Sequence, residues 1–224
     1  MESAYPDIPI IYSDANVIVI NKPAGVLTHP TPSKPDVYSV ASAFVDKIDD
    51  PDPMRAGIVH RLDRDTSGVM ILARNLETKQ FLQTQFKQRE VNKVYLALIW
   101  GNPKLTMARI ELPISHSGQT TTKMKVSSTG KMAISEYRVR QQYEKFSLVE
   151  VQLMTGRMHQ IRVHFAHLGN PVVGDPIYSR QPLPDGLGRM FLHAAELSLE
   201  IAPGQKRSYE APLPADLERF LHSL

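Results

Sequence analysis

The amino-acid sequence predicts an α+β fold in which helices and loops flank a mixed, mostly antiparallel β-sheet. Segments rich in β-branched residues, which are typical of strands, outnumber the segments with helical character. The two kinds of segment do not alternate in the βαβ order that a parallel sheet requires. The first two strand-like runs, residues 8–12 and 17–21, flank a short Ser-Asp-Ala-Asn turn, which indicates an antiparallel hairpin.

Strand-like runs and irregular segments account for most of the chain. The predicted strands cover residues 8–12, 17–21, 69–73, 94–100, 132–141, 146–154 and 195–201. Three prolines within residues 28–36 predict an extended loop there. Residues 115–130 are rich in Ser, Thr, Gly and Lys with few large apolar side chains, which predicts an exposed, mobile loop or a hairpin arm.

Helical segments are few. Asn75 is a suitable N-cap for a helix that reaches about Arg89. The side chains of this helix that suit burial are Leu76, Phe81, Leu82 and Phe86. A second helix over residues 158–168 ends before Gly169, and a short third helix covers residues 216–222.

Length and composition indicate one folded domain, residues 1–224, with a core over about 10–214. Hydrophobic residues make up 42% and charged residues 22% of the chain, which argues against disorder. Cysteine is absent, which excludes disulfides and thiol catalysis and fits a reducing compartment. The sequence shows no secretory signal and no apolar run long enough to span a bilayer, so we expect a cytoplasmic protein that does not bind membranes. Nothing in the sequence requires more than a monomer, and we expect the protein to act as one.

Charge is distributed unevenly along the chain. Residues 1–52 contain eight Asp/Glu and three Lys/Arg, a net charge of −5, whereas residues 121–164 contain three Asp/Glu and eight Lys/Arg, a net charge of +5. A basic region of this kind is expected on a protein that binds a polyanion such as RNA. An uneven but purely solvated surface is the alternative interpretation.

The segment His60–Gly68, HRLDRDTSG, has the strongest chemical character. It is a charged turn between an apolar approach and a predicted buried strand, so its side chains are expected at the rim of a cleft. Asp63 lies among arginines and is expected to stay ionised, which makes it a candidate catalytic carboxylate. A structural Asp–Arg network in a turn is the alternative.

This segment resembles the HRLDxxTSG signature of the RluA-type pseudouridine synthases. Further segments resemble the motifs of that family in the same order along the chain. They are NKPAGVLTH at 21–29, KVYLALIWG at 93–101, TGRMHQIRVH at 155–164, GNPVVGD at 169–175 and LHA at 192–194. The resemblance implies the pseudouridine synthase fold with an RNA-binding cleft, and an isomerase that modifies uridine in structured rRNA or tRNA. It also implies that the reaction needs no cofactor.

The resemblance assigns the catalytic roles to Asp63, Tyr95 and Arg162. The reaction breaks the bond between ribose C1′ and uracil N1 and joins C1′ to C5, so a carboxylate must lie close to the sugar and the ring. Whether Asp63 adds to C1′, adds to C6 or removes a ribose proton is open at this stage. Tyr95 would stack on the base and help to remove the C5 proton, and Arg162 would form a bidentate pair with Asp63.

Substrate binding is assigned, through the same resemblance, to Arg61, Leu192, Lys22 and His29. Arg61 would fill the space that the flipped uridine leaves, unless it is only a local ion-pair partner. Leu192 would form an apolar wall for uracil. Lys22 and His29 would shape the rim of the pocket or touch phosphate, and a structural role is equally open for both.

Lys123 and Lys125 belong to a segment, residues 117–131, that corresponds to an arm that grips RNA in the family. Many relatives carry an N-terminal S4-type RNA-binding domain, whereas about nine residues precede the first predicted strand here. The chain is therefore expected to be a short form without the S4 domain that selects its RNA through the catalytic domain.

Three other functions fit the sequence less well. A metal site at His159, His164 and His167 lacks the HExxH pattern and Cys ligands, so no metal is expected. A glycosidase that uses Asp63 and Asp65 would need two carboxylates on opposite sides of one bond. A non-catalytic RNA chaperone on a synthase fold would have lost the catalytic residues, and Asp63 is among those present.

Overall fold

The computed structural model of the chain describes residues 7–30, 38–118 and 122–224, and it confirms the α+β class. The strands are β1 Ile10–Ser13, β2 Val17–Lys22, β3 Ser67–Ala73, β4 Asn92–Trp100, β5 Met107–His116, β6 Met124–Val126, β7 Lys131–Gln142, β8 Phe146–Leu153, β9 Leu192–Glu200 and β10 Lys206–Glu210. The α-helices are α1 Val40–Phe44, α2 Leu76–Gln88, α3 Gln160–His167 and α4 Ala215–His222. Each predicted strand and helix is present, with ends that differ by a few residues from those expected.

The chain forms two compact units. The first unit combines Met1–Asn92 with Ala194–Pro212, and the second combines Lys93–His193 with Leu213–Leu224. The organisation of residues 1–224 as one domain stays a prediction.

The first unit is built on strands β1, β2, β3 and β9 in that order, with β10 paired to β9. Strand β3 is buried along its whole length, as expected for a continuous apolar run in the middle of a sheet. The predicted hairpin is confirmed, since β1 and β2 pair in antiparallel fashion. The carboxylate of Asp14 closes its turn by accepting the amides of Asn16 and Val17 at 2.7 Å each.

Helix α2 begins as the sequence predicts, because the Asn75 side chain accepts the amide of Thr78 at 2.9 Å. Its buried stripe consists of Thr78, Leu82 and Gln85, spaced four and three residues apart. The Gln85 amide group bonds both the carbonyl and the amide of Glu200 in β9, at 2.8 and 2.9 Å. The expected burial of Leu76 is wrong: its side chain is 47% exposed, since the first residue of the helix lies outside this stripe.

The second unit is an antiparallel sheet in the order β4, β8, β7, β5, β6. Helix α3 packs on this sheet through Ile161 and Phe165, and α4 packs through Leu217 and Phe220. Strand β5 was missed by the sequence analysis. Charged residues and Pro113 interrupt its apolar pattern, and pairing with β7 along eight residue pairs defines it.

Within the part of the chain that the structure describes, no helix has both the length and the apolar character needed to cross a bilayer.

His164 is a fully buried histidine on α3. Its Nδ1 lies 3.0 Å from the hydroxyl of Ser135, and its Nε2 lies 3.4 Å from the carbonyl of Leu112. Burial lowers the pKa of His164 from 6.5 to about 4. The folded protein therefore resists protonation of this ring at pH values where the unfolded chain accepts it.

We expect His164 to make the free energy of unfolding depend on pH. Its contribution is present above pH 6.5 and is lost as the pH falls toward 4. The loss approaches about 3 kcal/mol, because one pKa unit corresponds to about 1.4 kcal/mol. Urea denaturation between pH 7 and 4 should show a smaller decline for His164→Gln than for the wild type. His222→Gln, at an exposed position on α4, serves as the control and should decline like the wild type. Equal declines for all three proteins would contradict the assignment.

Candidate active site

Asp63 stands at the first position of a tight turn in the first unit. Its carbonyl accepts the amide of Thr66 at 3.1 Å, so Arg64 and Asp65 form the corner of the turn. Arg64 and Asp65 pair with each other at 2.9 Å on the surface, where such a pair contributes little stability. Asp63 itself is partly covered by protein. The turn therefore separates an exposed charged corner from a half-buried carboxylate.

A buried lysine connects this turn to the loop after β2 through hydrogen bonds. The ammonium of Lys22 is fully buried and donates to the carbonyls of Pro23, Val26 and Arg64 at 2.9, 2.7 and 3.0 Å. These bonds use the three hydrogens of an ammonium group. Lys22 thus holds together two segments that are 42 residues apart in sequence.

Thr28 makes a second connection to the same turn. Its hydroxyl accepts the amide of Leu62 at 3.2 Å and donates to the carbonyl of Leu62 at 2.9 Å. The amide of Gly25 donates to the carbonyl of Arg64 at 2.8 Å. The residues on both sides of Asp63 are therefore fixed by the segment that contains Lys22, Gly25 and Thr28. Such support restricts the positions that the carboxylate can adopt.

The two ends of the HRLDRDTSG segment are fixed as well. Nε2 of His60 accepts the amide of Ile71 in β3 at 3.1 Å, and its ring stacks on Phe86 of α2 at 4.6 Å. At the other end, Gly68 has φ +124°, and a Cβ atom there would lie 2.1 Å from the carbonyl oxygen of Ala194. Only glycine fits at this position.

The remaining candidates of the first unit differ in exposure. Arg61 is exposed, and no carboxylate pairs with it within residues 7–30, 38–118 and 122–224. Both assignments of Arg61, to RNA and to a local ion pair, stay predictions. His29 is half-buried, with Nδ1 2.8 Å from the carbonyl of Pro30. The burial of Lys22 fits the structural alternative, and its role at the pocket rim stays a prediction.

Tyr95 and Leu192 lie in the second unit. Tyr95 pairs with Val151 across β4 and β8 and is half-buried against the main core cluster of this unit. Leu192 is 3% exposed and belongs to that cluster. The roles of both residues toward uracil stay predictions.

Arg162 is held by a carboxylate that the sequence analysis had given no role. Its Nε and Nη2 donate to Oδ2 and Oδ1 of Asp175 at 2.7 and 2.9 Å, with side-chain exposures of 4% and 0%. Asp175 also accepts the amides of Ile177 and Tyr178, at 2.8 and 3.1 Å. The bidentate pair was expected with Asp63, and that pairing stays a prediction.

The predicted arm is a hairpin in which β6 pairs with the end of β5. We use the term arm for residues 114–117 and 123–126. Met124 is buried, whereas Lys123 and Lys125 on either side of it are exposed, in the alternation that a strand imposes. The amide of Ser117 bonds the carbonyl of Lys123 at 2.8 Å. Residues 119–121 of the predicted loop lie outside the described residues.

Two histidines on or next to helix α3 contact other side chains. His164 bonds Ser135, and His159 lies 2.8 Å from the hydroxyl of Tyr178. Among the described residues, no three His, Asp or Glu side chains come together in a way that could hold a metal ion.

Comparison with known proteins assigns the family. A sequence model described as RNA pseudouridylate synthase matches residues 16–167, which is more than half of the chain. The chain belongs to the RNA pseudouridylate synthase family. This confirms the resemblance to RluA-type synthases, and the matched range includes Asp63, Tyr95 and Arg162.

Curated relatives of this family match almost the whole chain. An uncharacterized RNA pseudouridine synthase from Chloroflexus aurantiacus is 43% identical over 209 residues, which cover 91% of this chain and 65% of the relative. The ribosomal large subunit pseudouridine synthase D of Xanthomonas campestris is 38% identical, with 99% and 71% covered. The chain therefore spans about two thirds of the length of these relatives.

Two solved human structures share the fold. Human RNA pseudouridylate synthase domain containing 4 superposes with a TM-score of 0.78 and 27% identity, covering 96% of this chain and 92% of that one. Human RNA pseudouridylate synthase domain containing 1 gives a TM-score of 0.74 and 28% identity, covering 96% and 87%. The synthase fold expected from the sequence is thereby confirmed.

Asp175 and Tyr178 both contact Arg162, and the sequence analysis assigned neither of them a role. Asp175 closes the quoted GNPVVGD segment, and Tyr178 lies three residues beyond it. The sequence contained one indication of the role of Asp175. An Asp in a turn often accepts the backbone amides two and three residues after it, in an Asx turn. That pattern does not identify Arg162 as the arginine that binds the same carboxylate.

We expect Lys22→Met to lower the free energy of unfolding by at least about 2 kcal/mol, because three carbonyl groups lose their common donor. Urea denaturation measures the change. Lys87→Met on the exposed surface of α2 is the matched control and should stay within about 0.5 kcal/mol of the wild type. Equal stability of the two variants would show that the ammonium of Lys22 does not hold the turn.

Proposed function

We propose that this chain converts uridine to pseudouridine in structured RNA, with Asp63 as the essential carboxylate. One observation carries the proposal: both neighbours of Asp63 are fixed by bonds to the segment that contains Lys22 and Thr28. A synthase needs a carboxylate that keeps its position while the substrate base detaches and turns. A surface Asp–Arg network would need no such support.

The chemistry is an isomerisation within one nucleotide. The bond between C1′ and N1 breaks, the base turns, and C1′ bonds to C5 while the hydrogen on C5 leaves as a proton and N1 gains one. The reaction consumes no co-reactant, so the proposal includes neither a cofactor nor a metal. Asp63 acts on the ribose or on the ring, and the order of bond changes is left open.

Tyr95, Arg162 and Arg61 are proposed to assist. Tyr95 would contact the base and help to remove the C5 proton as a general base. Arg162 would supply positive charge, and its tight hold by Asp175 suits a group that must keep one orientation. Arg61 is exposed and would stack in the space left by the flipped uridine.

The proposed substrate class is ribosomal RNA of the large subunit, in preference to tRNA. The relatives from Xanthomonas campestris, Borreliella burgdorferi and Pseudomonas aeruginosa carry the name ribosomal large subunit pseudouridine synthase D, and they are 37–38% identical to this chain. Action as a monomer in the cytoplasm completes the proposal.

Lys123 and Lys125 are proposed to contact RNA phosphates. Both side chains are exposed on the arm, whereas the side chain of Met124 between them is buried. Point charges on the outer face of a hairpin fit phosphate groups without regard to base sequence.

We expect Asp63→Asn to lower the rate of tritium release from RNA labelled at uridine C5 by about 10³-fold or more, because the amide cannot replace a reacting carboxylate. The affinity for RNA, measured by filter binding, should stay within a few-fold. Asp65→Asn is the matched control: Asp65 lies two residues away in the exposed ion pair with Arg64, and its variant should retain activity.

The same assay separates the competing functions and ranks the RNAs. A glycosidase would leave abasic sites, and a chaperone would bind RNA without releasing tritium. Large-subunit rRNA transcripts should release tritium faster than tRNA transcripts. Release by Asp63→Asn at the wild-type rate would contradict the assignment of the carboxylate, and release from tRNA alone would contradict the substrate class.

We expect the double variant Lys123→Ala, Lys125→Ala to bind RNA more weakly and with a shallower dependence on salt. Each lost phosphate contact reduces the slope of log K against log salt by about 0.7–0.9. Titrations at several KCl concentrations measure the slope. An unchanged slope would show that these lysines do not contact phosphate.

A further inference from the structure

Tyr178 occupies a defined position between the arm and Arg162 in the second unit. Its backbone amide donates to Oδ1 of Asp175 at 3.1 Å, and the same carboxylate binds Arg162 through two bonds. The position of the Tyr178 backbone is therefore tied to the group that orients the arginine.

The hydroxyl of Tyr178 bonds the arm directly. It accepts the backbone amide of Met124 at 2.8 Å, and it lies 2.8 Å from Nδ1 of His159. The rings of His159 and Tyr178 meet edge to face, with centroids 5.6 Å apart. One hydroxyl group thus connects the arm to His159, the residue that precedes helix α3.

The ring of Tyr178 lies close to two cations. Cζ of Arg162 is 5.1 Å from its centroid and Nζ of Lys123 is 5.9 Å from it. Both distances fall within the range in which a cation is attracted by an aromatic ring. The arginine assigned to the reaction and a lysine assigned to RNA binding therefore share one tyrosine.

The base of the arm is packed and does not stand apart from the unit. Ile114, Met124, Ala133 and Val163 form a buried cluster, and Tyr178 packs against it half-buried. Val163 adjoins Arg162 on α3. A displacement of the arm would therefore reach the surroundings of Arg162 through contacts as well as through the hydroxyl of Tyr178.

We propose that Tyr178 is a positioning residue that couples the grip of the arm on RNA to the orientation of Arg162. When Lys123 and Lys125 bind RNA phosphates, the negative charge of the phosphate attracts the Lys123 ammonium more strongly than the Tyr178 ring does, and Lys123 moves away from the ring. Met124, the next residue, moves with it. The bond between Met124 and the hydroxyl of Tyr178 passes this change to the ring on which Arg162 lies. The inference rests on the proposed function, because it assigns Arg162 and the arm the roles given there.

A double-mutant cycle tests the coupling. Its variants are Tyr178→Phe, Lys123→Ala with Lys125→Ala, and the combination of all three changes. Single-turnover tritium release at saturating RNA gives the rate of the bound complex, and filter binding gives the dissociation constant. Tyr178→Phe should lower the bound-state rate by about tenfold, which is the scale of coupling between linked sites, and change the dissociation constant less than twofold.

The lysine changes should affect the two parameters differently. In the wild-type background they should weaken binding and also lower the bound-state rate by several-fold. In the Tyr178→Phe background they should weaken binding by the same factor and leave the bound-state rate unchanged. A lysine effect on rate that is equal in both backgrounds would overturn the proposal, and so would a Tyr178→Phe protein with wild-type rate.

A matched control separates positioning from general loss of stability. Tyr137→Phe removes another hydroxyl of the same unit, which donates to the carbonyl of Leu105 at 3.0 Å. Tyr137 lies on β7, and its ring contacts Phe165 of α3. This variant should keep the bound-state rate. A fall like that of Tyr178→Phe would identify a structural effect and overturn the proposal.

The outcome also separates this inference from the proposed function. If the wild type releases no tritium from any RNA, the proposed function fails. If the wild type is active and the cycle shows no coupling, only the role of Tyr178 fails.

Discussion

The buried ammonium of Lys22 is the interaction on which the candidate site of the first unit depends. A charged group enters a protein interior only when its hydrogen bonds are made, and Lys22 satisfies this condition with three carbonyl groups. Two of these belong to its own loop and the third belongs to Arg64, the residue after Asp63. The cost of removing the charge from water is thus offset by bonds that fix the turn. Thr28 and Gly25 add bonds to the same turn, so the position of Asp63 is determined from several sides.

A second buried charge organises the other unit. Asp175 accepts four hydrogen bonds, two from Arg162 and two from the backbone of its own turn. The carboxylate therefore orients an arginine on α3 and, at the same time, fixes the turn that carries Tyr178. Buried ion pairs add little net stability compared with apolar packing, but they restrict the geometry of the groups that they join. The pair therefore holds the guanidinium of Arg162 in one orientation.

Features that neighbouring residues encode appear in the structure where the sequence predicts them. Helix α2 begins at Asn75 and β3 is buried along its length, because a capping side chain and a continuous apolar run act on their immediate neighbours. Strand β5 was missed because its stability comes from pairing with β7, which lies later in the chain. Leu76 was assigned to the interior from its apolar character alone, whereas its place at the first position of the helix leaves it exposed.

By itself, the sequence determined the α+β class, the order of the main strands and helices, and the family motifs that single out Asp63, Tyr95 and Arg162. These features are encoded locally, in capping residues, apolar periodicity and short signatures. Only the tertiary structure decided that buried Lys22 bonds its own loop to the turn after Asp63, that Asp175 binds Arg162, and that Tyr178 contacts the arm. Each of these contacts joins residues that are distant in sequence or on different elements. Such contacts depend on how the chain packs, and no local pattern specifies which buried carbonyl or carboxylate a given cation will reach.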